Sequence, residues 1–159
     1  MKSQKIGFFV AALVFSTVAD ARLIQAPSYQ EMLDKSDLVV IAVPTASGDT
    51  HERADLPGLT VVTAENKTIG FPVVGVETRF RVSAVLKGSK ALKEFVLHHY
   101  READPRPTIN GPSLVAFEPT KNISFLLFLV REKDGRYAPT AGQTDPGFLS
   151  IHSLDAFVR

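Results

Sequence analysis

A mainly β domain is the fold class this sequence predicts: a small barrel, closed or partly closed, of five to six strands with one short N-terminal helix. Three observations predict it. Leu38–Val43 is a continuous apolar run of strand length, Val73–Leu86 alternates with period two, and clusters of turn-forming residues separate these from further strand-like segments. Continuous apolar strands beside alternating ones suit a sheet closed on itself, which removes exposed edges. The 159 residues include no cysteine. A chain of this length fits one domain and buries enough surface to fold without disulfides.

Residues 1–21 read as a secretory signal peptide and residues 22–159 as a single domain. Lys2 and Lys5 precede the apolar stretch Ile6–Val18, and Ala19-Asp20-Ala21 fits a small-x-small cleavage pattern, with Arg22 as the mature N-terminus. A helix over Ile6–Ala19 would rise only about 21 Å, against roughly 30 Å of hydrocarbon, so no stable membrane anchor is expected after cleavage. The expected location is periplasmic or secreted.

Ser28-Tyr29-Gln30-Glu31 matches a capping box. Tyr29, Met32 and Leu33 then share one face of a short helix that ends near Lys35, before Ser36-Asp37. Leu38–Val43 follows as a strand buried on both faces and stopped by Pro44. Ala46–Gly58, with Gly48, Asp49, His51, Glu52, Asp55 and Pro57, is expected to be a long polar loop. Leu59–Ala64 reads as a second strand and Glu65–Gly70 as a turn.

In Val73–Leu86, Thr78, Phe80, Val82 and Ala84 fall on one face and Arg79, Arg81 and Ser83 on the other. Val85-Leu86 breaks the pattern and marks a bulge. After the turn Lys87–Lys90 come a strand over Glu94–Arg101, a Pro-rich loop over Asp104–Pro112 and an apolar strand over Ser124–Arg131. Asp134-Gly135 is a hairpin signal leading into Arg136–Pro139. Ala141–Gly147 is a loop, and Phe148–Ile151 a last short strand.

Lys2, Lys5 and Asp20 lie in the leader. That leaves 16 basic and 16 acidic residues, a neutral domain without the cationic footprint of a nucleic-acid binder or a basic cluster for anionic lipid. The phenylalanines are therefore read as core. No G-x-S-x-G elbow, cysteine nucleophile or Gly-rich phosphate loop is present.

Three segments taken together, Ser36–Ala42, Phe80-Arg81-Val82 through Val85-Leu86-Lys87-Gly88, and Phe125–Leu129 with Asp134-Gly135-Arg136-Tyr137, resemble bacterial exported domains related to the netrin-like or TIMP-like OB-fold. The resemblance spans roughly residues 36–147 and implies an OB-like β-barrel. The Val96–Arg101 segment, V-L-H-H-Y-R, also resembles a set of uncharacterised bacterial secreted proteins. TIMP-type inhibitors chelate a protease zinc through an N-terminal cysteine. With no cysteine here, no functional residue carries over.

His98 and His99 are the first chemical candidates. Adjacent strand residues point to opposite faces, so one shares a face with Val96 and Tyr100 and the other with Phe95 and Leu97. The simpler reading places one inside and one on the surface. His51, with Asp49 and Glu52, offers a second group of metal-type ligands, although the spacing matches no standard zinc signature. Asp145, before Pro146, suits a turn or a ligand-binding rim.

The leading functional expectation is an exported, non-enzymatic binding or interaction module, with an unknown protein or small ligand as partner and no cofactor. The alternative is a protein that binds a divalent transition metal through His51 with His98 or His99, supported by Asp49 or Glu52. A further alternative is an enzyme whose site is scattered in sequence.

Overall fold

A computed structural model describes residues 27–62, 65–103, 114–144 and 149–155. Residues 1–21, expected to be a signal peptide, Asp145 and the Pro-rich loop over residues 104–112 lie outside the described residues. The elements run α1 (Tyr29–Lys35), β1 (Leu38–Val62), β2 (Thr68–Lys87), β3 (Glu94–Glu102), a 3-10 turn at Pro119–Lys121, β4 (Phe125–Arg131), β5 (Tyr137–Pro139) and β6 (Ile151–Ser153). No helix among the described residues is long and apolar enough to cross a membrane.

The strands form one sheet in the order β1-β2-β3-β5-β4-β6, and β1 also pairs with β4. Five strands therefore make a ring, β1-β2-β3-β5-β4, with β6 alongside the first half of β4. Four of the five junctions of the ring are antiparallel ladders. The fifth is the parallel contact of β3 with β5, which consists of the single pair Leu97 and Tyr137.

The capping box forms as expected. Ser28 Oγ accepts from the Glu31 amide at 3.2 Å, and Glu31 accepts from the Ser28 amide at 2.7 Å. The Ser28 amide, and then the Ser28 hydroxyl, which donates to Glu31 Oε2 at 2.9 Å, lower the carboxyl pKa of Glu31. At the other end of α1, Lys87 Nζ donates to the Leu33 carbonyl at 2.6 Å and covers an orphan acceptor of the last turn. Met32 packs on Val39 and Phe128, which seats α1 against β1 and β4.

The polar stretch 46–58 is a strand, not a loop. It merges with the segments on either side into β1, 25 residues long. Its turn-forming residues are absorbed by register shifts against β2 at Pro44/Ala46, Asp49/Arg53 and Leu56/Thr60. Beyond Ala42, β1 is paired with β2 alone among the described residues, and prolines are tolerated on such an edge. The expected turn at residues 65–70 is shorter, because β2 already starts at Thr68. The bulge expected at Val85-Leu86 is present: Val39 pairs with Lys87 and Val40 with Val85, leaving Leu86 unpaired and exposed. The Asp134-Gly135 hairpin also forms, with Gly135 at φ 94°. The last strand lies at Ile151–Ser153, two to three residues later than expected.

The interior of the ring is apolar. Leu38, Val40, Phe80, Leu97, Leu127 and Leu129 are at most 1 % exposed. Phe80 stacks on Phe95 at 5.2 Å between ring centroids and meets the edge of Phe117 at 5.0 Å. Removal of a buried aromatic ring leaves a cavity as well as lost contacts, so Phe80→Ala is expected to lower unfolding free energy by about 3–5 kcal/mol, measured by urea denaturation. A loss under about 1 kcal/mol would show that Phe80 is not central to the core.

Candidate functional site

The two adjacent histidines of β3 face opposite ways, as strand alternation requires, but both are buried: His98 is 4 % and His99 3 % exposed. The expectation of one surface histidine fails because other side chains roof the outer face of β3.

His99 points into the ring. Its Nε2 lies 2.8 Å from Thr78 Oγ1, which lies 2.8 Å from Ser47 Oγ, and its ring meets the edge of Phe117. Burial makes the charged imidazolium costly and lowers its pKa to about 4. It is therefore a neutral core residue near pH 7.

His98 points outward into a polar cluster built from three strands and one turn. Glu132, where the β4–β5 turn begins, places both carboxylate oxygens 3.0 Å from Nδ1. Glu52, from β1, places Oε2 3.1 Å from Nε2, at ion-pair distance but off hydrogen-bond alignment. Tyr100 Oη donates to Glu52 Oε1 at 2.5 Å. Burial first, and then the Glu52 carboxylate, push the Tyr100 phenol up to about 12. Arg136 reaches over β3 to Glu77 Oε1 at 3.1 Å and Asp134 Oδ2 at 2.8 Å, with Glu132 Oε2 at 3.6 Å and Glu52 Oε2 at 3.9 Å. Partial burial works against the charge of Arg136, but these carboxylates outweigh it and raise its pKa. The Arg136 amide, and then its charge, hold the Asp134 carboxyl below its usual range.

Glu52 reaches β3 because of a glycine. Thr50, His51 and Glu52 form a bulge opposite the single residue Gly75 on β2. A Cβ at Gly75 would lie 2.7 Å from Thr50 Oγ1 and 2.9 Å from Glu52 Cβ. With no side chain there, Glu52 crosses over β2 to Tyr100 and His98. An interior strand glycine marks a close approach of this kind.

Carboxylates stand at both nitrogens of His98 and occupy the positions from which a nucleophile or a metal would be engaged by the ring. Glu52 and Glu132 address opposite ring nitrogens and cannot share one ion with the ring. Among the described residues no group of three or more His, Asp or Glu side chains could hold a metal ion.

Of the residues singled out from the sequence, Glu52 joins His98, whereas His99 belongs to the core. His51 is exposed at the bulge, without a contact to either histidine among the described residues. Asp49 pairs with Arg101 across β2, an exposed pair that contributes little. Glu77, Gly75, Tyr100, Glu132 and Arg136 were not anticipated. Gly75 inside a strand pattern, and charged residues flanking the Asp134-Gly135 turn, were the available signals.

Two open depressions flank this cluster and meet at Val96. One, of about 370 Å³, lies between Leu92–Val96 and the β4–β5 hairpin. The other, of about 280 Å³, is lined by Ala46, Ser47, Gly48, Glu77 and Arg79. Comparison with known proteins finds no matching family model, no similar curated protein and no similar solved structure.

Gly75→Ala is expected to displace Glu52 and return the Tyr100 phenol from about 12 toward its ordinary value, about 10. Ring-carbon NMR titration reads this directly, and an unmoved Tyr100 titration would refute the crossing. His99 gives a pH dependence. Its folded pKa of about 4 lies below the ordinary value of about 6.5. As pH falls between these values, the unfolded chain takes up a proton that the folded one refuses. Stability is therefore full above about pH 6.5 and falls toward pH 4, by up to about 3 kcal/mol. Urea midpoints across that range should decline less in His99→Gln. Equal declines would contradict the assignment.

Proposed function

We propose that this chain is an exported binding module, acting in the periplasm or outside the cell, that recognises a partner through the outer face of β2 and β3. One observation carries the reading. Two open depressions meet at Val96, and the side chains between them, Glu77 and Arg136, are fixed to each other at 3.1 Å. Binding surfaces gain from groups held in place before the partner arrives.

The same arrangement speaks for binding over catalysis. The buried histidine of the cluster is enclosed by its own carboxylates and has no path to a substrate atom, whereas a general base must reach the proton it removes. The ring of five strands supports an OB-like barrel as the scaffold, and such barrels bind through a sheet face and its flanking loops. That link rests on fold analogy.

A photo-crosslinking amino acid at Arg79, on the proposed face, is expected to yield adducts from the envelope or culture medium that the same group at Tyr29, on α1, does not. Equal labelling at both positions, or none at either, would remove the reading.

A further inference from the structure

The ring is nearly open between β3 and the β4–β5 hairpin. On the β2 side, β3 is paired along its whole length, from Glu94 with Arg81 to Glu102 with Val73. On the other side its one strand pair among the described residues is Leu97 with Tyr137. There Gln143 Nε2 donates to the His98 carbonyl at 3.1 Å. A side-chain amide thus occupies the place a neighbouring peptide group would take. The carbonyl of His98 faces this edge, and alternate residues of a strand share an edge. The backbone groups of Val96 and Glu94 therefore face it too, and they border the depression of about 370 Å³. Its opposite wall is the hairpin, residues 134–137.

We infer that this gap is a strand-addition site: an extended peptide segment of a partner protein enters beside Glu94–Val96 and continues the pairing that Leu97 and Tyr137 begin. The inference deepens the binding-module reading and rests on it. Backbone donors and acceptors at an open edge are matched by another backbone. Three residues along Glu94–Val96 give about 10 Å of pairing at 3.3 Å per residue. The wall toward the core carries Leu92, Phe95 and Tyr137, and the outward side carries Glu94, Arg131, Asp134 and Arg136. An entering strand thus meets an apolar surface with one set of alternate side chains and a charged one with the other. The segment that fits alternates apolar and polar residues.

The probe is the blocked hexapeptide acetyl-Thr-Val-Thr-Val-Thr-Val-amide, with two controls N-methylated on alternate residues, one for each edge of the peptide. Amide NMR of the purified protein is expected to show shifts centred on Glu94, Val96 and Gly135–Tyr137. Amide exchange at Val96 should slow at least tenfold on saturation. At least one N-methylated control should bind tenfold or more weakly, because it keeps the side chains and loses the donors on that edge. Binding by both controls as tight as by the unmethylated peptide, or no shift at these amides up to about millimolar peptide, would overturn the strand-addition site. Either result leaves the crosslinking outcome at Arg79 to be judged separately, so failure of this inference and failure of the binding-module reading are distinguishable.

Discussion

Closing a ring of five strands here requires two parallel strands to meet where the backbone supplies one residue pair. Every other junction is an antiparallel ladder, so the contact between β3 and β5 is the weak seam. Side chains do what the ladder does not. Glu132 and Arg136, flanking the β4–β5 turn, reach across β3 to His98 and Glu77, and Gln143 holds the His98 carbonyl. A buried polar network stabilises only when its members are matched, and a half-matched one costs more than an apolar contact. The seam therefore depends on the contacts that His98 makes with its two carboxylates.

The neighbouring histidines show how strand geometry divides labour. His99 meets the Phe117 ring and the Thr78 hydroxyl, and burial disfavours its charged form. One residue earlier, His98 has carboxylates at both ring nitrogens, Glu132 at 3.0 Å from Nδ1 and Glu52 at 3.1 Å from Nε2. The difference comes from alternation alone. The inner face of β3 meets Phe117 and Thr78. The outer face meets Glu52, admitted over β2 by the missing side chain of Gly75, and Glu132.

Much of the fold was legible where a pattern is local. The capping box at Ser28 and Glu31, the alternation around Phe80, the bulge at Leu86 and the Asp134-Gly135 turn each depend on residues a few positions apart. The strand over residues 46–58 was not legible, because Gly48, Asp49, Pro57 and Gly58 are turn-formers in isolation. What makes them a strand is the long partner β2 and the freedom of an edge to bulge. Of the candidate site, the two histidines and Glu52 could be picked out, but their partners could not. Glu52 meets His98 only through a bulge, and Glu132 meets it only once the ring closes. Roofing of an outer sheet face is a tertiary event, which is why His98 was not foreseen as a second buried histidine.

The coupling between Glu132 and His98 tests most directly whether side chains close the seam. A double-mutant cycle with His98→Ala, Glu132→Ala and the double variant, read by urea denaturation and by amide exchange at Tyr137, isolates it. An interaction of about 1–3 kcal/mol, together with faster exchange at Tyr137 in each single variant, is the expected result. Additive effects with unchanged exchange at Tyr137 would mean that the ring closes without this contact, and would contradict the role given to His98.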